Sequence, residues 1–354
     1  MYITTLSREM AAIEPNSEFV LFESPHAPLP ELDGIVNLRR VVCTGVPASR
    51  TLRVAYQNSI YPGVLRRENP TVLLATCNAY PAGAPKGVVV VQSLQYFNHP
   101  EAYGLLRSIY LRRAVRAAVR RSRLVIAVSE EAKRQVVLLA GADPARVRVV
   151  HHGLPPLEPR PRAVAAEPYI LTVTTLYRYK NLTRLVLAFA LIRAKYQIPH
   201  RLRIVGGDAD MTAAEVRHKA EVAGVGEYVD LYGPVKHDEL SAQYAAASLF
   251  VYPSLEETFG LPPLEAMSLG APVVAANAGA IPEVVGDAAV LFDPYDVDDM
   301  ARGMAGVLLD PQLAEKMTQR GYARAAEFTW SAAARGTLDV LREVAEPTRS
   351  ALVK

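Results

Sequence analysis

Cysteine is nearly missing. Cys43 and Cys77 are the only two, at no metal-ligand or redox spacing, so a disulfide framework is excluded and free, buried thiols in a reducing compartment are expected. No apolar stretch approaches the roughly 18 residues that a bilayer span needs. The opening residues MYITTLSREM lack a signal-peptide pattern. A cytoplasmic protein is expected, with a place on a membrane surface left open. The seven histidines include no two-histidine metal helix and no triad with a serine, so no metal is expected. No known motif or aromatic–basic interleaving marks a nucleic-acid reader, and no internal repeat is present. A doubly wound domain usually opens on a strand and a glycine-rich turn. Here the first readable element is a helix at residues 3–13, so the first strand is missing from the expected N-terminal domain.

What is present suits two α/β domains. A chain of 354 residues is long enough for two cores. Residues 1–155 carry 19 basic and 11 acidic side chains and the remainder 20 and 25, so the halves are expected to meet different partners. Continuous apolar runs at Val41–Cys43, Val72–Ala75 and Val88–Val91 predict parallel strands buried on both faces, with further strands at Phe19–Phe22, Leu124–Val128 and Val147–Val150. A second series follows at Tyr169–Val173, Leu202–Val205, Val229–Gly233, Leu249–Tyr252, Pro272–Ala275 and Ala289–Phe292. Helical patterns lie between them. Five prolines in Leu154–Pro168 mark a semi-rigid linker. The expected layout is an N-terminal domain over 1–155, a linker over 156–168, a C-terminal domain over 169–335 and a helix or tail over 336–354.

The richest stretch is LEETFGLPPLEAMSLG, Leu255 to Gly270. It follows a strand and leads through a glycine–proline turn into a helix, the place where an α/β layer holds phosphate. Glu257 and Glu265 bracket the turn, and ionised carboxylates accept hydrogen bonds from sugar or ribose hydroxyls. Arg178 and Lys180 sit in a second strand-to-helix loop, either as exposed surface cations or as a pair that neutralises a diphosphate. Asp208-Ala209-Asp210 has a metal–diphosphate form, but it follows a Gly-Gly turn where aspartates bond local backbone. Asp293, Asp296, Asp298 and Asp299 read as caps of the helix near Val297. Ser129 reads as another cap. His99, His151 and His152 lie in strand-end loops, each with a structural role as the default. The basic helix Leu105–Arg123 either packs an apolar side into the core or meets anionic headgroups.

Pro253–Gly270 with the following Ala271-Pro272-Val273-Val274, Gly279–Glu283, Phe328-Thr329-Trp330-Ser331 and Tyr179-Lys180-Asn181 together resemble the family-4 retaining glycosyltransferases. The N-terminal half resembles them less, through Val125–Ser129 and His152-Gly153. The resemblance implies a GT-B fold, two Rossmann-like domains facing a cleft, here without the first N-terminal strand. It implies that Lys180 holds the donor diphosphate, Glu257 the transferred sugar, and Glu265 the ribose. Phe259, Gly260 and Leu261 are then expected to offer backbone N–H groups, with Thr258, Thr175, Arg178 and Gly206 around the donor. Gln92, His99 and His152 are expected on the acceptor side, and Gln92 beside Glu257 and Lys180 in the chemistry.

Two positions depart from the family pattern. Thr175 stands where many relatives have an arginine. Gln92 stands where a histidine is common, and an amide hydrogen-bonds but does not titrate. The expectation is a metal-independent, cofactor-free retaining enzyme. It moves a hexose from GDP-mannose or a UDP- or ADP-hexose to a glycan or lipid-linked acceptor, in cell-surface polysaccharide or glycolipid synthesis. It is expected in the cytoplasm, with peripheral membrane contact through Leu105–Arg123. The alternatives are a nucleotide-sugar-binding partner subunit without turnover and, behind it, sugar-nucleotide epimerisation.

Overall fold

Strand and helix alternate through both halves of a computed structural model, which describes residues 2–47, 56, 59–85, 87–158, 160–163 and 165–346. Linker residues 159 and 164 and tail residues 347–354 lie outside the described residues. By contact the chain forms two units. One gathers Met1–Leu94, Ile109–Gly153 and Thr329–Lys354, the other Gln95–Ser108 and Leu154–Phe328.

In the first unit, β1 (Phe19–Glu23) and β2 (Leu38–Val42) form a parallel pair with Phe19 opposite Leu38. A separate parallel sheet runs in chain order through β3 (Leu73–Ala75), β4 (Gly87–Val91), β5 (Leu124–Ala127) and β6 (Val147–Val149). Val88, Val89 and Val90 are fully buried, as a strand covered on both faces requires. Helix α1 (Tyr2–Ile13) packs along the last helix, Trp330–Ala345, and buries Leu6 and Met10. A cavity of about 1100 Å³ is lined from both sheets, by Phe19 and Leu21 on one side and Leu73 and Leu74 on the other.

Two readings of this half need correction, and one helix is added. β2 begins three residues before the predicted Val41, because Arg39 and Arg40 mask an edge strand. Their guanidinium groups reach out to carboxylates, Arg40 to Glu23 at 2.8 Å. Helix α2 (Tyr61–Glu68) was not foreseen. Pro62 stands in its first turn, where proline is well suited. Cys43 is buried as expected, but Cys77 is exposed.

Helix α3 runs over Leu105–Arg121, and only part of its apolar side is covered. Val115, Ala118 and Val119 are buried, whereas Leu105 and Leu106 are 70% and 84% exposed and Ile109 and Tyr110 are open as well. Helix α4 (Glu130–Ala140) begins where expected: the Ser129 side chain accepts from the Ala132 amide at 2.9 Å.

The second unit holds one six-stranded parallel sheet. Its strands are β7 (Tyr169–Val173), β8 (Arg201–Val205), β9 (Val229–Tyr232), β10 (Leu249–Tyr252), β11 (Val273–Ala276) and β12 (Ala289–Phe292), in the order β12-β11-β10-β7-β8-β9. The chain builds outward from β7 through β8 and β9, then returns to the other side of β7 with β10. β7 and β10 are therefore neighbours at the point where the strand order reverses, with Leu249 opposite Ile170. Ligands of open α/β sheets bind outside the strand C-termini at such a reversal. The core is dense: Leu171, Phe189, Phe250, Val274 and Met304 are fully buried. Each such side chain contributes about 1.5–3 kcal/mol relative to exposure.

Candidate functional site

The two loops that leave β7 and β10 meet at one cluster. After β7 the chain makes a short turn at Arg178–Lys180 and enters helix α5 (Leu182–Tyr196) through Asn181. Asn181 is left-handed (φ 62°), a conformation that asparagine tolerates well. Its buried side-chain amide donates to the Pro253 carbonyl at 3.1 Å and the Pro294 carbonyl at 2.8 Å. The Leu255 amide donates to the Tyr179 carbonyl at 2.8 Å. The Pro253 and Tyr179 bonds thus lock the two loops together, and the Pro294 bond ties the same turn to the loop after β12.

Lys180 and Glu257 are the result. The ammonium donates directly to Glu257 Oε1, the Tyr252 hydroxyl donates to the same oxygen at 2.6 Å, and Lys180 Nζ lies 3.3 Å from that hydroxyl. The lysine and glutamate side chains are only 11% and 8% exposed. Burial, with the Glu257 charge beside it, holds the Tyr252 phenol well above its ordinary pKa, so it stays a donor. Nζ also sits 5.1 Å from the Tyr179 ring centre and 5.5 Å from that of Tyr252. A cation so enclosed is a ready anion site, and its carboxylate partner is a ready acceptor for hydroxyls.

Two glycines make the close approach possible. A Cβ at Gly279 would lie 2.7 Å from both the Glu257 nitrogen and its carbonyl oxygen, and φ is +56°. The bare backbone lets the Ala280 amide donate to the Glu257 carbonyl at 3.0 Å. A Cβ at Gly206 would lie 1.8 Å from the Thr174 carbonyl oxygen. Gly206 thus allows the end of β8 to close on the end of β7.

Helix α8 (Leu261–Ser268) follows the Glu257 loop, with Gly260 (φ 99°) as its N-cap residue and no side-chain cap. Pro262 and Pro263 have no N–H, so Gly260 and Leu261 supply the open amides of the first turn. Phe259 is buried edge-on against Phe328, with centroids 5.8 Å apart. Glu265, half-buried on α8, accepts from Tyr244 at 2.8 Å.

Other expected site residues have different neighbours. Arg178 is exposed and paired with Glu215 at 2.6 Å, while its backbone amide donates to Asp210 at 2.8 Å. Asp208 accepts from the Ala213 amide at 2.9 Å, so both aspartates of the Asp-x-Asp element bond backbone, as their turn position implied. Thr175 is exposed. Asp296 caps α10 (Val297–Leu308) through the amides of Asp298 and Asp299. In the first unit, Gln92 donates from Nε2 to the Thr76 carbonyl at 2.8 Å and from its backbone to Asn78 at 2.7 Å. His152 is packed edge-on to Tyr2 at 5.0 Å and near Trp330, and burial, then the neighbouring His151, lowers its pKa to about 4.

His99 is grouped with the second unit, in the run Gln95–Ser108. It pairs with Glu256, a buried residue that sequence reasoning passed over in favour of its neighbour Glu257. Tyr252 was likewise read only as the end of an apolar strand.

With this geometry established, relatives place the chain. The model of "Glycosyltransferase Family 4" matches residues 1–156 and that of "Glycosyl transferases group 1" matches residues 158–324. O-antigen chain mannosyltransferase B of Escherichia coli is 30% identical over 260 residues, covering 69% of this chain and 67% of that protein. The chain belongs to the family-4 glycosyltransferases. D-inositol 3-phosphate glycosyltransferase 2 of Catenulispora acidiphila is 32% identical over 244 residues, covering 64% of this chain and 57% of that one. The serotype-specific mannosyltransferase WbdA of E. coli is much longer, and the match spans 20% of it.

Solved structures agree on the fold. Sucrose-phosphate synthase of Thermosynechococcus elongatus superposes with a TM-score of 0.74 at 21% identity, over 97% of this chain and 92% of that one. WaaG, a glycosyltransferase involved in lipopolysaccharide biosynthesis, gives 0.71 at 16% identity, over 96% and 94%. The fold is GT-B, with both units built on parallel α/β sheets, and the protein is a glycosyltransferase. Among the described residues no helix is long and apolar enough to cross a membrane.

Proposed function

We propose that this glycosyltransferase is a retaining, metal-independent hexosyltransferase that uses a nucleotide-sugar donor, with GDP-mannose the first candidate and UDP- and ADP-hexoses behind it. The observation that carries the reading is the enclosed Lys180–Glu257–Tyr252 cluster at the reversal between β7 and β10. Similarity to an O-antigen chain mannosyltransferase favours mannose and surface-polysaccharide or glycolipid assembly.

In this reading Lys180 turns from Glu257 to the donor diphosphate, joined by the Gly260 and Leu261 amides at the helix N-terminus. Glu257 then accepts from hydroxyls of the sugar, and Glu265 from those of the ribose. The acceptor oxygen bonds to the anomeric carbon from the face that the diphosphate leaves. The C–O electron pair departs with the diphosphate, and the acceptor proton passes to a phosphate oxygen. The protein's share is charge stabilisation and orientation. Transfer assays with a panel of GDP-, UDP- and ADP-hexoses, on wild type and Glu257→Ala, test this. Turnover with one donor, lost in the variant, supports it; no turnover with any donor defeats it.

The same reading places the protein in the cytoplasm, at the inner face of the membrane. Leu105, Leu106, Ile109 and Tyr110 are exposed at the start of α3 among Arg107, Arg112 and Arg113, an arrangement suited to an anionic lipid surface.

A further inference from the structure

Glu256 and Glu257 are adjacent and both buried, 7% and 6% exposed, yet they share no partner. Glu257 takes Lys180 and Tyr252. Glu256 takes two residues from a stretch far away in sequence: Asn98 donates to Oε1 at 2.9 Å, and His99 Nε2 lies 3.0 Å from Oε2. The same stretch grips the residues on either side. Gln95 Nε2 reaches Thr258 Oγ1 at 3.5 Å. The His99 ring stacks on Tyr179 at 4.8 Å, and Tyr103 stacks on Tyr177 at 5.8 Å. Residues 95–103 therefore hold both neighbours of Glu257 and the residue before Lys180.

We propose that His99 and Asn98 are positioning residues for the transfer reaction, fixing the Glu257 carboxylate and the Lys180 turn through Glu256 and Tyr179. This rests on the functional reading above. A carboxylate as buried as Glu256 requires a committed partner, since an unpaired buried charge is costly. An imidazolium satisfies it best. His99 faces Glu256 from the loop after β10 and Glu101 from its own segment, the latter 3.4 Å from Nδ1. The Tyr179 ring covers its face, and Lys180 Nζ lies 5.1 Å from the centre of that ring.

The hydrogen bond to Glu256 raises the His99 pKa above its ordinary value, with burial opposing. The ion pair is accordingly complete below the ordinary histidine range. It loses its charge as pH rises through the raised value, and a neutral Nε2–H bond remains. The latch is thus strongest on the acid side and loosens toward alkali.

The test compares wild type, His99→Ala, His99→Gln and Glu256→Gln in three measurements: steady-state transfer across pH, hydrogen exchange of the amides in 255–261, and binding of the nucleoside diphosphate alone. Displacing a reacting group by an ångström costs on the order of 100-fold in rate, so a fall in kcat of about that size is expected for His99→Ala. Faster exchange at 255–261 should accompany it. His99→Gln keeps a donor toward Glu256. It should recover most of the rate and lose the alkaline limb of the wild-type pH profile.

Wild-type kcat, pH profile and exchange in His99→Ala overturn the proposal. So does a His99→Gln variant as impaired as His99→Ala, because the donor is then not what matters. If wild type transfers no hexose, the functional reading falls instead. The exchange comparison still decides whether His99 holds the loop.

Discussion

Replacing Lys180 by methionine keeps the stem and deletes the ammonium. Glu257, 8% exposed at its side chain, is then a buried carboxylate with the Tyr252 hydroxyl as its remaining donor. Removing one member of a buried ion pair costs about 3–5 kcal/mol. The surviving hydroxyl bond offsets roughly 1 kcal/mol of that, leaving a loss of about 2–4 kcal/mol. For a unit of this size each kcal/mol shifts Tm by ~2–4 °C, so a fall near 10 °C is expected.

The informative partner is the double variant Lys180→Met with Glu257→Gln. It removes both charges and lets Tyr252 bond the new amide. Neutral replacements of buried pairs are often as stable as the pair itself, so its melting temperature should return close to that of wild type. Differential scanning fluorimetry with far-UV circular dichroism reads both. A single variant that melts like wild type, or a double variant less stable than the single, would refute the claim that the pair is closed and desolvated in the free protein.

Gly279→Ala puts a methyl 2.7 Å from the Glu257 backbone, so transfer should fall sharply; wild-type kinetics in a folded variant would show that the loop yields. His152 is neutral in the fold, its pKa lowered to about 4. Below the unfolded value near 6.5 the unfolded chain takes up a proton that the native state does not. Stability should therefore fall between about pH 6.5 and 4, by up to ~3 kcal/mol. Urea titrations should show this slope lessened in His152→Phe, and an equal slope in both proteins would contradict it. Asp296→Ala removes the cap of α10 and should cost about 1 kcal/mol in urea denaturation. Leu105→Ser with Leu106→Ser should weaken cosedimentation with anionic vesicles, and unchanged binding would remove the membrane contact.

How much of this was legible in the sequence depends on the range over which the chain acts. Ser129 and Asp296 are legible as caps because a cap needs only the next three residues. β10 and β11 are legible because each is buried along its whole length and shows as an unbroken apolar run. Glu257 and Lys180 were singled out from separate loops. That they bond each other, with Tyr252 completing the group, depends on β7 and β10 becoming neighbours, and no local pattern carries that. Arg178 looked available to a phosphate because Glu215, its partner, lies 37 residues on. Glu256 was hidden by Glu257, and its partners Asn98 and His99 are about 160 residues earlier. Continuous apolar runs show which strands exist, but strand order and loop-to-loop bonds are set by tertiary packing.

The double variant also provides the most direct test of the central claim, that the Lys180–Glu257 crevice receives the donor's diphosphate. Calorimetric titration of wild type and of Lys180→Met/Glu257→Gln with GDP, UDP and ADP separates binding from turnover. Wild type should bind at least one nucleoside diphosphate, and the folded double variant none measurably. Equal affinity in the two proteins would contradict it.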